Sequence, residues 1–255
     1  EGTAGNTGIG LTLIANSRGY KTIIVIPKNQ TKEKINVLRS IGAEIRLVDP
    51  KPYKDPDNYV KISGRLAEDL SKKNTSGVIW ANQFDNTANF RGHYNSTGQE
   101  IWNQTNGNIN AFICAAGTGG TIAGVGQALK EKNKNVIIAL SDPGGSALCN
   151  HINSKELIVE GSSITEGIGS SRVTANFKEA PIDKAYTIED NVAFKELFSL
   201  LENEGLRLGL SSGINVAGAI RLAKDLGPGK NIVTILCDKS DLYFSKLYNK
   251  ELLSE

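Results

Sequence analysis

The feature that most constrains this chain is a repeated alternation of short β-branched runs with longer amphipathic stretches of helical period. Thr22–Ile26 is a compact Ile/Val run stopped by Pro27 and predicts a buried strand. Thr31 then reads as the N-cap of a helix to about Ile41, with Lys32–Lys34 and Glu33 on its solvent face. Further strands are expected at Glu44–Val48, Val78–Trp80, Ala111–Ala116, Val136–Leu140 and Ile232–Leu236. Helices are expected up to Ser17, over Tyr59–Lys72, from Asn89 to about Trp102, and over Thr121–Lys130, Val192–Glu202, Ile214–Leu226 and Leu242–Leu253. In the Val192–Glu202 helix, Phe194, Leu197, Phe198 and Leu201 recur at one-face spacing. Gly227-Pro228-Gly229 stops the helix after it. Strands separated by helices in this way require right-handed crossovers and a mainly parallel sheet, hence an α/β fold.

The 255 residues suffice for one large or two modest α/β domains. Two are expected, 1–80 and 81–255, divided near the polar loop that begins at Asn82. Lys and Arg total 29 against 27 Asp and Glu, so bulk charge gives no hold on nucleic acid. The longest apolar run, Ala111–Ala116, is six residues. A membrane-spanning helix needs roughly 20. Cys114, Cys149 and Cys237 form no CxxC pair, and Cys114 and Cys237 sit in apolar runs that predict buried, inert thiols. His93 and His151 have no spacing that would hold zinc, and no acidic cluster is spaced for a metal.

In parallel sheets ligands bind beyond the carboxyl ends of strands, where helices begin. Three segments rich in Gly, Ser and Thr fall at such places. Thr3-Ala4-Gly5-Asn6-Thr7-Gly8-Ile9-Gly10 opens the first helix, and its backbone N–H groups favour a carboxylate or phosphate. Gly117-Thr118-Gly119-Gly120-Thr121 follows the Ala111–Ala116 strand and reads as a phosphate cup. It lacks the Lys-Ser/Thr pair of a Walker A loop. It nearly matches GxGxxG with Asp142 about 20 residues on, so nicotinamide binding stays a runner-up. Gly209-Leu210-Ser211-Ser212-Gly213 opens the Ile214 helix. A serine there reads equally as a contact to a ring nitrogen and as a plain N-cap. Gln83, in the loop Asn82–Asn86, and the stretch Gly161–Gly169 add polar, flexible chain. With no GxSxG elbow and no acid–base set in view, a cofactor is expected to carry the chemistry.

Taken together, EGTAGNTGIGLTLIANSRGY, AAGTGGTIAGV, GSSITEGIG and LGLSSGINVAGAIRLAK resemble the cysteine synthase (O-acetylserine sulfhydrylase) and cystathionine β-synthase family, in order and over essentially the whole chain. The resemblance implies a fold-type-II, tryptophan synthase β-subunit-like architecture of two three-layer α/β domains with pyridoxal 5'-phosphate in the cleft. It implies that Thr3, Ala4, Gly5, Asn6 and Thr7 grip the substrate carboxylate together with Gln83, and that Asn6 also faces the cofactor. It gives Gly117, Thr118, Gly119, Gly120 and Thr121 the cofactor phosphate, Ser211 the pyridine nitrogen, and Gly167, Ile168 and Gly169 the site mouth. The expected reaction makes cysteine and acetate from O-acetylserine and sulfide, in a cytoplasmic enzyme that is a homodimer when full length, with no metal, nucleic-acid or membrane partner.

Three departures stand out, the gravest being the missing lysine. Ala4 replaces the serine usual in the Thr-Ser-Gly-Asn-Thr loop, and Lys239-Ser240 stands where relatives carry Tyr-Gly. The family's Schiff-base lysine lies in a Ser-x-Lys-Asp-Arg context that no lysine here shares. The chain opens inside the loop and contains no Met, so it is expected to be a piece of a longer protein, inactive and marginally soluble by itself.

Overall fold

The computed structural model describes residues 1–247. These fall into two units: residues 1–83 with 241–247, and Phe84–Ser240. Composition gives no reason for the chain end to cluster with the first residues.

In the first unit, α1 (Asn6–Ser17) is followed by β1 (Ile23–Pro27), α2 (Lys32–Ser40), β2 (Glu44–Val48) and α3 (Tyr59–Lys73). β1 and β2 pair in parallel with Ile23 opposite Glu44. Ile24, Ile26, Ile35, Leu38 and Ala43 form the core between sheet and helices. Val78–Trp80 is not a strand, because no described strand pairs with it. It is held instead by Trp80, whose indole N–H donates to the Ser63 hydroxyl at 3.1 Å, while Ile79 is 87% exposed. Lys34 is not on a solvent face. It lies one turn before Leu38 on the inward side of α2 and is 1% exposed. Its stem lies against Gly5, and its ammonium sits 4.2 Å from the centre of the Tyr243 ring. The Thr31 hydroxyl does not cap α2. It donates to Leu242 O at 2.6 Å.

The second unit runs α4 (Ala88–Asn95), α5 (Thr97–Gln104), β3 (Ala111–Cys114), α6 (Gly120–Lys132), β4 (Ile137–Pro143), α7 (Leu148–Ser154), α8 (Ala175–Lys178), β5 (Lys184–Ile188), α9 (Asp190–Glu204), α10 (Leu210–Leu226) and β6 (Ile232–Thr234). The strand order is β5-β4-β3-β6, with every pairing parallel. Every residue of β3 is buried, as a parallel strand covered on both faces must be. One core joins Phe112, Ile138 and Leu140 of the sheet to Ile122, Val125 and Leu129 of α6 and to Phe177 of α8.

Several expected elements are displaced for local reasons. The helix expected to reach Trp102 breaks at Ser96, whose φ of −120° and ψ of −78° leave the helical region and whose hydroxyl donates to Gly92 O. In α9 the buried line is Ala193 and Leu197, one residue round from the Phe194 side, because α10 crosses it at Gly213. A Cβ on Gly213 would lie 2.3 Å from Ala193 O. The last expected helix is a 3-10 turn, Ser240–Tyr243, followed by α11 (Phe244–Leu247), and its continuation lies outside the described residues. α7, α8 and β5 carried no sequence expectation. No helix among the described residues is long and apolar enough to cross a membrane.

α4 and α6 approach so closely that a Cβ on Gly124 would meet Phe90 O at 2.2 Å and Tyr94 N at 2.6 Å. Gly124→Ala is therefore expected to destabilise by about 1–3 kcal/mol through overpacking. For a chain of this size each kcal/mol lowers the thermal midpoint by roughly 2–4 °C. Gly10→Ala, in the interior of α1 with no atom in the way, is expected to raise it. Melting curves that move the same way for both substitutions contradict this account of α4–α6 packing.

Candidate active site

The first Gly/Thr segment is built beside β1. Gly2 bridges Val25 in parallel, and Thr3 N–H donates to Val25 O at 3.0 Å, so residues 1–3 run as an extra edge along that strand. Thr3 Oγ1 accepts Gly5 N–H at 3.0 Å and turns the chain into α1. Gly5 is the N-cap, without a side-chain cap, and Ile9 N–H is the first of the helix to bond back, to Gly5 O. The N–H groups ahead of it have no intrahelical acceptor, and the dipole adds positive potential, so this turn suits a carboxylate. Gln83 is tied to it twice. Its Oε1 accepts from the Thr7 hydroxyl at 2.7 Å, and its Nε2 donates to Gly2 O at 2.9 Å. The Glu1 carboxylate accepts Asn82 and Gln83 N–H, and burial pushes its pKa up against those bonds. Within this unit the structure thus brings Thr3–Thr7 and Gln83 together.

In the second unit the strand order reverses between β3 and β6, since the chain leaves β3 towards β4 on one side and enters β6 on the other. The carboxyl ends of β3 and β6 therefore frame the crevice where such sheets hold ligands. Gly117–Thr121 lies there as a tightly walled cradle. A Cβ on Gly117 would lie 2.2 Å from Gly167 O, one on Gly119 2.5 Å from Phe177 Cα, and one on Gly120 2.0 Å from Asn89 Oδ1. Gly119 also has a φ of +85°, which a side chain resists. Gly169 N–H donates to Ala116 O at 2.8 Å, so the Gly167–Gly169 segment lies against the root of the loop.

Side chains that the sequence did not single out fix this loop. Asn89 Nδ2 donates to Thr118 Oγ1 at 3.0 Å, and Thr174 Oγ1 donates to Thr118 O at 2.6 Å. His93 Nε2 meets Thr121 Oγ1 at 3.2 Å, and burial lowers the His93 pKa, favouring the neutral ring. Arg172 forks onto Asp85 at 3.0 and 2.8 Å, holding the Asp85 carboxyl below its ordinary pKa and locking the polar loop to the segment before α8. These partners lie far apart in sequence, and no spacing pattern announces them. Ala123 N–H is the first in α6 to bond back, to Gly119 O, and Gly120 N–H is taken by Thr118 Oγ1 at 3.2 Å. The next N–H groups, of Thr121 and Ile122, have no intrahelical acceptor. Narrow glycine walls, two Thr hydroxyls and a helix start fit a phosphate monoester.

Ser211 lies in the first turn of α10, 8% exposed, and Gly209 occupies the N-cap, so the plain-cap reading of this serine does not hold. Next to it, Ser212 Oγ accepts Cys237 N–H at 3.0 Å. Cys237 is exposed rather than buried, because β6 stops at Thr234. Cys114 is buried, and burial drives its thiol pKa well up. A hydroxyl at Ser211 can hydrogen-bond a ring nitrogen without stabilising its protonated form, as a carboxylate would. Ser240, of the departing Lys239-Ser240 pair, is fully buried, and its hydroxyl has no hydrogen-bond partner among the described residues. No group of His, Cys, Asp and Glu among the described residues could hold a metal.

Comparison with known proteins gives three findings. A family model described as "Pyridoxal-phosphate dependent enzyme" matches residues 1–238. Cysteine synthase 1 of Neurospora crassa is 44% identical over 260 residues, covering 100% of this chain and 68% of that protein. Cysteine synthase 1 of Emericella nidulans is 44% identical over 258 residues, covering 99% and 68%. Among solved structures, the O-acetylserine dependent cystathionine beta-synthase from Helicobacter pylori superposes with a TM-score of 0.85 at 31% identity, covering 96% of this chain and 76% of that one.

Two outcomes test the geometry. Gly119→Ala is expected to weaken binding of pyridoxal 5'-phosphate by about tenfold or more, since strain and overlap together exceed 1.4 kcal/mol. Unchanged affinity in a fluorescence titration removes the loop from the site. The second concerns Asp142, at the end of β4, 1% exposed, with Oδ2 accepting Cys149 N–H at 2.8 Å. Burial pushes its pKa up from 3.8 to about 6, so the folded state holds the proton more tightly than the unfolded one. Its contribution to stability is therefore full below about pH 4 and is lost as pH rises through about 6, by up to about 3 kcal/mol. Asp142→Asn keeps the acceptor and removes the titration. The difference in urea stability between variant and parent is expected to grow from about pH 4 to about pH 7. A difference independent of pH rules this out.

Proposed function

Because the chain belongs to the pyridoxal-phosphate dependent enzyme family, we propose that it carries out β-replacement on O-acetylserine by sulfide, giving cysteine and acetate. The observation that carries this reading is the neutral Ser211 hydroxyl at the start of α10, in the same unit as the glycine-walled loop after β3. Pyridoxal phosphate, when bound, supplies an electron sink that acidifies the substrate α-proton and permits loss of the β-substituent. The chain's own residues bind and orient. Gly117, Thr118, Gly119, Gly120 and Thr121 hold the cofactor phosphate through backbone N–H groups and hydroxyls. Ser211 donates to the ring nitrogen and leaves it unprotonated, which keeps the reaction to elimination and replacement at the β-carbon.

Thr3, Ala4, Gly5, Asn6 and Thr7 take the substrate carboxylate, with Gln83 bracing the loop from Thr7 and Gly2. Asn6, exposed at the first position of α1, offers its amide to the cofactor as well. Ala4 contributes its backbone but no hydroxyl, so the carboxylate has one side-chain donor fewer than the family's usual serine provides. Gly167, Ile168 and Gly169 line the approach. No residue of the 255 is assigned the α-proton. The homodimer and the cytoplasmic location implied by the resemblance belong to the same proposal.

The cysteine synthases of Neurospora crassa and Emericella nidulans support sulfide as the nucleophile. The Helicobacter pylori neighbour supports a second acceptor, homocysteine, on the same O-acetylserine. The test supplies the whole protein with pyridoxal 5'-phosphate, O-acetylserine and either sulfide or homocysteine. Cysteine and acetate in equal amounts are expected with sulfide. Cystathionine as the sole product overturns the assignment of sulfide, and cofactor binding without turnover overturns the enzyme reading for this chain. Ser211→Ala is expected to cost roughly tenfold in turnover, the worth of one hydrogen bond to the ring. Ser211→Asp should shift the cofactor absorption band.

A further inference from the structure

β3 and β6 are paired in register as far as Ile113 and Thr234, and then their ends part. The gap is spanned by one side chain. Asn215 Oδ1 accepts Ala115 N–H at 2.7 Å, and Asn215 Nδ2 donates to Ile235 O at 2.7 Å. The same Nδ2 lies 3.4 Å from Cys237 Sγ. Asn215 is fully buried and stands four residues after Ser211 on α10, hence one turn along the same face. Its carboxamide thus joins three pieces: the root of the Gly117–Thr121 loop, the end of β6, and the helix that carries Ser211. Cys237 extends the network, since its N–H donates to Ser212 Oγ, the residue after Ser211 on α10. A carboxamide accepts from one strand and donates to the other within a single plane without changing its protonation state. An ionised aspartate cannot donate, and an aliphatic side chain would orphan two buried backbone groups.

A planar ring bearing a phosphate arm has a fixed distance between its ring nitrogen and its phosphate. A protein that contacts both must hold those contacts at one separation. We propose that Asn215 is a positioning residue for the cofactor, setting the separation between the Gly117–Thr121 loop and the Ser211 hydroxyl. This rests on the roles proposed above for that loop and for Ser211. Asn215 touches neither substrate nor reacting atoms and acts only through the two strand ends and α10.

The test titrates the full chain and its Asn215→Asp, Asn215→Ala and Ser211→Ala variants with pyridoxal 5'-phosphate and, separately, with inorganic phosphate. Cofactor absorbance and protein fluorescence are followed. Both Asn215 variants are expected to lose about tenfold or more in affinity for pyridoxal 5'-phosphate and to shift the bound absorption band. Inorganic phosphate, which needs only the loop, is expected to bind within about twofold of the parent. If phosphate affinity falls as far as cofactor affinity, or neither Asn215 variant folds, Asn215 is a fold-holding residue and the proposal is wrong. If both bind the cofactor within about twofold, with the band unmoved, while Ser211→Ala weakens it, the positioning role fails and the site stands. If Ser211→Ala also changes nothing, the site reading fails first and takes the inference with it.

Discussion

Parallel strands of unequal neighbours end in unmatched backbone groups, and the end of β3 is where this chain must resolve that mismatch. Its ladder to β6 stops at Ile113, and the backbone runs on into the Gly117–Thr121 loop. Asn215 takes up Ala115 N–H and Ile235 O with one carboxamide, and the glycines beyond can then turn without stranding a buried donor. The loop, the start of α10 and the segment after β6 are all placed by that closure. Gly117, Gly119 and Gly120 are each pressed by backbone or side chain from Gly167, Phe177 and Asn89, so the loop's shape is set from outside as much as by its own turns.

The two units differ in how they hold their Gly/Thr segments. Thr3–Thr7 is braced by the β1 edge, the Gln83 amide and the buried stem of Lys34 against Gly5. Gly117–Thr121 is braced from α4, α8 and the Gly167–Gly169 segment at once.

The alternation of strand and helix was legible because hydrophobic period is a local signal, and the strands that failed did so for non-local reasons. Val78–Trp80 has strand composition, yet Ile79 is exposed because no described partner completes a ladder there. Lys34 reads as surface by residue type but lies on the Leu38 side of α2, where the 3-10 turn from Ser240 to Tyr243 covers it. In α9 the apolar repeat at Phe194 was sound, while the buried line moved to Ala193 because α10 crosses at Gly213. At the site, the glycine-rich segments declared themselves, since only backbone permissiveness explains such runs. Asn89, Thr174 and the Asp85–Arg172 fork did not, because a hydrogen bond across dozens of residues leaves no periodic trace.

By itself the sequence determined an α/β chain with parallel strands, three glycine-rich turns at helix starts, and the motif set of a pyridoxal-phosphate family, because these depend on local period and backbone freedom. Tertiary structure alone decided that the sheet reverses between β3 and β6, that Gly209 rather than Ser211 caps α10, and that Asn215 closes the fork. Those depend on which strand ends meet, a matter of chain topology that no stretch of neighbouring residues encodes.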